Sequence, residues 1–176
     1  RFPKAYWKRL GKMVVFLDCV SDQSGNTPSI GDEDGGHAVL LSDLSNYRPI
    51  DSLRATAIAL EDRLAINRDE KAGRPACPTR LNFPPDEKTA WLSGTVDPTS
   101  SSSSHSQDSP SVGIFDCYFR DGGYHVLRSR PAQDKELLLV FAAGPLGWPS
   151  TAVHGHADAL SLLLHIDGHP ILIDPG

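Results

Sequence analysis

Residues 154–176, HGHADALSLLLHIDGHPILIDPG, join a histidine-rich loop to two apolar runs that are separated by Asp167-Gly168. An Asp-Gly pair between apolar runs favours a β-hairpin with a type I′ turn, because both central residues of that turn need positive φ. Isoleucines in the returning run also favour strands. With this turn, the pairing sets Asp174 opposite Ser161. The stretch therefore predicts a tight hairpin that carries an aspartate back towards the histidine loop.

The side chains at the open end of this hairpin are of types that bind zinc. Imidazole nitrogens and carboxylate oxygens suit zinc in roughly tetrahedral geometry, and the set includes His156 and Asp174 if the loop curls back. The alternative is a pair of partly buried loop histidines held by Asp158. The residues alone leave both interpretations open. His165 and His169 flank the turn, and we predict that both are solvent-exposed.

Two segments of the N-terminal part have apolar residues at helical spacing, namely 4–20 and 52–66. Asp51 or Ser52 is the candidate N-cap of the second helix, since a short polar side chain there accepts a hydrogen bond from the first turn. One face of that helix is predicted to carry an apolar stripe formed by Leu53, Ala57, Leu60 and Leu64.

The composition then changes twice along the chain. Residues 68–110 are rich in Pro, Ser, Asp and Thr, which bury too little apolar surface to offset the entropy of ordering. After them the spacing of apolar residues is that of strands. We therefore predict an α+β chain with a helical segment, a linker or long loop, and an antiparallel β domain, at 1–67, 68–110 and 111–176.

Composition limits the classes of function. The 176-residue chain has a formal net charge of −5 and no cluster of Lys and Arg, so we expect no nucleic-acid partner. No apolar run is long enough to span a bilayer, so we expect no membrane partner. The three cysteines are far apart and are interpreted as separate thiols, at positions 19, 77 and 117. Since the sequence lacks an initiator Met, we expect a piece of a longer protein.

Four motifs resemble, in their order, the heparinase II/III-like family of polysaccharide lyases. They are FRDGGYHVLRS at 119–129, LLLVFAAGPLG at 137–147, the stretch 154–176 and, more weakly, GDEDGG at 31–36. The resemblance implies the end of an α/α toroid followed by the first strands of an antiparallel β-sandwich. The implied activity is β-elimination from an acidic, uronic-acid-containing polysaccharide, either heparin- or heparan-like or alginate-like, in the periplasm or outside the cell.

The resemblance also implies roles for individual residues. His156 and Asp174 match ligands of a structural zinc, whose third protein ligand is expected downstream of this sequence. His154 matches a catalytic-site residue that faces the substrate near the uronate carboxylate. Asp158 matches a residue that supports the ligands. The main catalytic Tyr and its Asn/His partners are expected upstream. The local tyrosines are interpreted as non-catalytic, because Tyr118 and Tyr124 lie in strand patterns where an aromatic ring packs and Tyr47 precedes a proline that starts a helix.

Two other functions remain as alternatives. A non-catalytic carbohydrate-binding or structural β-sandwich has the same strand pattern without the elimination chemistry. A metal-dependent hydrolase requires a water on an open zinc position and a general base. Metallo-β-lactamase-like hydrolases fit less well, because Ala159 stands where their His-x-His-x-Asp-His motif has a His directly after the Asp. Amidohydrolases need alternating strands and helices, whereas this stretch predicts adjacent strands.

Overall fold

A computed structural model describes residues 2–31, 48–60, 64, 86–94, 113–130, 135–145 and 158–174. The chain divides into two compact units. The helical unit comprises Arg1–Val15, His37–Arg68 and Arg80–Ser109, and the sheet unit comprises Phe16–Gly36, Asp69–Thr79 and Pro110–Gly176. Each unit is described by itself. The predicted domain boundaries at 67 and 110 stay a prediction, although residues 16–31 belong to the sheet unit rather than to the helical part.

Three helices are described, α1 (Lys4–Val20), α2 (Pro49–Ala59) and α3 (Glu87–Ser93). Helix α2 begins at Pro49, whose fixed φ suits the first helical position and whose missing N–H costs nothing there. The predicted caps Asp51 and Ser52 therefore lie inside the helix, and that prediction is wrong. No helix among the described residues is long and apolar enough to cross a bilayer.

The buried face of α2 differs from the predicted apolar stripe. Ala57 in α2 and Leu64 beyond its end are buried as expected, but Leu53 is 51% exposed. Buried polar residues take its place, because Ser52 donates a hydrogen bond to Asp86 and the Thr56 hydroxyl lies 3.2 Å from that of Thr89. Contacts to α3 therefore decide which side of α2 is buried.

Helix α3 lies within the segment that was predicted to be a linker. Asp86 caps it, since its carboxylate accepts a 2.8 Å hydrogen bond from the Thr89 N–H, and Gly94 ends it in the left-handed conformation. Burial alone would raise the pKa of Asp86, but the hydrogen bonds from Ser52 and Thr89 lower that pKa below its usual value. The prediction of an irregular segment over 68–110 is thus wrong for these residues, where local capping outweighs composition.

The sheet unit contains a five-stranded antiparallel meander in chain order, which confirms the α+β class with an antiparallel sheet. Each described strand pairs with the next along the chain, so all four connections join neighbours. The strands are β1 (Gly113–Phe119), β2 (Tyr124–Arg130), β3 (Leu137–Ala142), β4 (Leu162–Ile166) and β5 (His169–Leu172).

The predicted tight turn between β4 and β5 is confirmed. Asp167 and Gly168 have φ of 53° and 76°, as a type I′ turn requires, and Ile166 pairs with His169 across it. The register then shifts, so that Leu164 pairs with Leu172. The predicted pairing beyond this point is therefore wrong by one residue, because an irregularity in the ladder adds a residue to β5.

The two faces of the sheet have different surroundings. Alternate residues of a strand point to opposite faces, so the buried residues of the central strands share one face, namely Val126, Leu138, Val140 and Leu163. The opposite face exposes large apolar side chains, namely Ile114, Leu127, Leu137, Leu162 and Leu172. The described residues therefore cover one apolar face of the sheet and leave much of the other accessible.

Two glycines bring the turn after β1 against the end of β3. A Cβ on Gly123 would lie 2.2 Å from the Gly144 Cα, and Gly123 also has a φ of +68°. The Ala143 N–H donates a 2.8 Å hydrogen bond to the Gly123 carbonyl. The two backbones thus meet at a distance that a side chain would prevent.

We expect Gly123→Ala to lower the free energy of unfolding by more than about 3 kcal/mol, since the clash is with backbone and the φ is unfavourable. The matched control is Gly122→Ala, because its new Cβ would meet only the Tyr124 ring, at 3.0 Å. That variant should lose about 1 kcal/mol or less. Urea denaturation of both proteins measures the difference, and equal losses would contradict the close approach.

Candidate functional site

Tyr124, Asp158 and Asp174 lie at the same end of the sheet. Strands β2 and β4 both run antiparallel to β3, so both begin at one end, which we call the tyrosine end because β2 starts there with Tyr124. Strand β5 runs back along β4 and leads Asp174 to this end. Asp158 precedes β4 by four residues. The hairpin thus returns Asp174 to the end of the sheet where the loop after residue 157 enters β4.

The carboxylate of Asp158 holds the chain in place just before β4. It accepts a 2.7 Å hydrogen bond from the Gly31 N–H, a partner that the sequence did not predict. The Asp158 carbonyl accepts from the Ser161 N–H, and the Leu160 N–H donates to the Ala142 carbonyl, both at 2.8 Å. Leu160 has a φ of +63°, a strained conformation for a non-glycine residue. Several backbone bonds therefore hold the turn in spite of that strain.

Tyr124 has a hydroxyl group that resists ionisation. Burial raises the pKa of Tyr124, and the negative charge of Asp158 raises it further. The ring also packs on Phe16, with ring centroids 5.3 Å apart. Below its usual pKa of about 10 this hydroxyl stays protonated, so it is a hydrogen-bond donor and not a base.

The three local tyrosines differ in their surroundings. Tyr124 packs as interpreted from the sequence, whereas Tyr118 is exposed and stacks on His125 with centroids 4.1 Å apart. The side chain of Tyr118 points to the open face of the sheet, so the interpretation of Tyr118 as a packing residue is only partly right. Tyr47 lies outside the described residues.

A buried polar cluster in the sheet unit was missed by sequence reasoning. His165 is only 4% exposed, and its Nδ1 lies 2.8 Å from Asp22 Oδ2, so the prediction of a solvent-exposed His165 is wrong. The other Asp22 oxygen accepts 2.9 Å hydrogen bonds from the N–H groups of Ser24 and Asn26. His169 is exposed, as predicted. Asp22 therefore links a loop to the end of β4 next to the turn.

Arg128 and Glu136 extend the cluster across β2 and the start of β3. The Arg128 guanidinium donates to the carbonyls of Cys19, at 3.1 Å, and Ser21, and it lies 3.5 Å from a Glu136 oxygen. Glu136 accepts a 2.6 Å hydrogen bond from the Gln23 N–H. The sequence signal for this cluster was a charged residue at an inward position of a strand, since Arg128 lies two residues after Val126 and so shares its face.

The proposed zinc ligands are only partly within the described residues. His154 and His156 lie outside them, and Asp174 is half-buried at the tyrosine end. Within the described ranges, no three His, Cys, Asp or Glu side chains are grouped as a metal site requires. The zinc ligands and the role of His154 therefore stay predictions.

The sheet unit is an antiparallel meander. Hydrogen bonds of Asp158 and Leu160 hold the turn that precedes its last hairpin. Residues 116–176 match the family model described as "Heparinase II/III-like, C-terminal". The match begins in β1 and continues through the hairpin, so the resemblance read from the sequence is confirmed for this part of the chain. No curated protein and no solved structure matched the chain.

We expect Asp158→Asn to lower the pKa of Tyr124, because the substitution removes a negative charge and retains an acceptor for the Gly31 N–H. The pKa should stay above the usual value of about 10, since burial is the larger cause. A raised folded-state pKa stabilises the protein fully below the usual value, and this stabilisation is lost as pH rises from the usual value through the folded-state pKa. The wild type should therefore lose more stability than Asp158→Asn as Tyr124 ionises at alkaline pH, because its folded-state pKa is raised further.

The measurement is an NMR titration of the Tyr124 ring in both proteins, after the ring carbons are labelled. Asp116→Asn is the matched control, because Asp116 is exposed on β1 and does not contribute to the shift of Tyr124. An unchanged Tyr124 pKa in Asp158→Asn would show that the two side chains do not interact.

Proposed function

We propose that the protein is a polysaccharide lyase that cleaves a uronic-acid-containing polysaccharide by β-elimination. The observation that carries this proposal is the match of residues 116–176 to the heparinase II/III-like C-terminal family model. Further support comes from the tyrosine end, where Asp158 and Asp174 lie on either side of the closing hairpin. Heparin- or heparan-like chains and alginate-like chains are the candidate substrates.

The proposed reaction needs three groups around the uronate ring. A base removes the C5 proton, a donor or cation stabilises the charge that develops on the carboxylate, and an acid protonates O4 as the C4–O4 bond breaks. A C4–C5 double bond forms in the product. We place His154 near the uronate carboxylate, and we place the base and the acid, a Tyr with Asn/His partners, outside this sequence.

We also propose a structural zinc that joins the histidine loop to the end of β5. Its ligands within this sequence are His156 and Asp174, and the third protein ligand lies downstream. A nitrogen and an oxygen donor suit zinc, and the half-buried Asp174 lies at the sheet end where that loop enters β4. Asp158, which follows the histidine loop in the chain, accepts a hydrogen bond from the Gly31 N–H. When bound, the zinc would supply a cross-link between loop and strand.

The exposed apolar face of the sheet supports a further part of the proposal, a β-sandwich. Large apolar side chains rarely form a continuous exposed surface in a stable monomer. Leu127, Leu137 and Leu162 are therefore assigned to the inner face of a two-sheet sandwich, with the helical segment as the end of an α/α toroid. We place the protein in the periplasm or outside the cell.

The lyase proposal is tested by incubating the complete natural protein with a panel of uronic-acid polysaccharides. We expect the ultraviolet absorbance of unsaturated uronate to rise with at least one of them. His154→Ala should lower the rate at least about 100-fold with little change in melting temperature, as for a group that acts in the transition state. His169→Ala is the matched control, because His169 is exposed on β5.

A flat absorbance with every polymer would contradict the lyase and favour a carbohydrate-binding module. A parallel loss of activity and melting temperature in His154→Ala would make His154 a structural residue.

The zinc proposal is tested by elemental analysis of the complete natural protein. We expect about one zinc per chain in the wild type and in His169→Ala, and strong loss of zinc in His156→Ala and Asp174→Ala, because each removes one of the few ligands of a four-coordinate ion. Zinc retained at the wild-type level by both ligand variants would refute the assignment.

A further inference from the structure

Two cysteines of the sheet unit lie side by side in its core. The Cys117 thiol is within 3.7 Å of the Cys19 sulfur, although the two residues are 98 positions apart in the chain. Cys19 lies in the last turn of α1 and Cys117 in β1, and they are 2% and 6% exposed. Both are thiols in this structure, as interpreted from the sequence, but the contact between them was not predicted.

We propose that Cys19 and Cys117 are a disulfide-forming pair that cross-links the end of α1 to β1. The bond requires the sulfurs to move roughly 1.7 Å closer, to a separation of about 2 Å. Rotation of two side chains about their Cα–Cβ bonds provides a movement of this size. The proposal concerns the sheet unit alone and does not depend on the lyase activity.

The backbone on both sides of the pair is already fixed. Cys117 pairs with Val126 in the β1–β2 ladder, and the Cys19 carbonyl accepts a hydrogen bond from the buried Arg128 of β2. Residues 126 and 128 lie two apart on the same strand face, so one strand holds both partners of the bond in position. Folding therefore brings the two thiols together without help from a disulfide.

The oxidant is a small-molecule disulfide such as oxidised glutathione. One cysteine thiolate attacks it, forms a mixed disulfide and releases one glutathione thiolate, and the second cysteine thiolate then displaces the other glutathione. The two protons of the protein thiols pass to the two glutathione molecules. Because both sulfurs are buried in the folded protein, the exchange takes place during folding, and the finished bond is shielded from reductants.

The cross-link would close the chain between α1 and β1 into a loop. That loop contains all the residues of the helical unit beyond α1, including α2 and α3. Cross-linking distant residues limits the freedom of the unfolded chain and so favours the folded state. The cross-link would hold the end of α1 against β1.

The test uses the Cys77→Ser variant, which retains only the proposed pair. After refolding in a buffer of reduced and oxidised glutathione, we expect no free thiol in the denatured protein and a mass lower by two hydrogen atoms. Proteolysis should release one linked peptide pair containing Cys19 and Cys117. The oxidised protein should also unfold at a higher temperature than the same protein after reduction.

The matched controls are Cys19→Ser and Cys117→Ser, each made in the Cys77→Ser background. Each has one thiol, and neither should show the change in mass or a melting temperature that depends on redox state. Two free thiols in folded Cys77→Ser protein, stable glutathione adducts, or disulfide-linked dimers would overturn the proposal. A lower melting temperature after oxidation would also overturn it, because the bond would then oppose the fold.

Discussion

The sheet unit depends on the buried polar cluster that joins the segment after α1 to the sheet. Two pairs form it, Asp22 with His165 and Arg128 with Glu136. Burying charged groups is costly unless each is paired and hydrogen-bonded, and here backbone groups of the segment satisfy the remaining atoms. The cluster therefore specifies a single position for the segment against β2, β3 and β4, which apolar packing alone would leave less defined.

The arrangement of side chains at the tyrosine end depends on the position of that segment. The same segment continues to Gly31, whose N–H binds the Asp158 carboxylate at the entry to β4. Asp158 also adds to the raised pKa of Tyr124, after burial, so one carboxylate both fixes the loop and keeps a nearby hydroxyl protonated. A loop held in this way is suited to present side chains from a rigid scaffold, as functional loops commonly do.

Sequence reasoning succeeded where local chemistry decides the structure. The Asp167-Gly168 turn and the return of Asp174 follow from the φ preferences of two residues and from antiparallel pairing. It failed where distant contacts decide. The burial of His165 depends on Asp22, which is 143 positions away, and the contact of Asp158 with the chain near residue 31 spans 127 positions. No periodicity or turn rule reports on such pairs.

Native-state hydrogen exchange of the Ser24 and Asn26 amides tests the role of the cluster most directly. Both donate to Asp22, which is fully buried. The account predicts that these loop amides exchange as slowly as the Leu138 amide in the central strand β3, because their release requires the cluster to open. Exchange at the rate of an exposed loop would contradict it, since the segment would then leave the sheet without disturbing the fold.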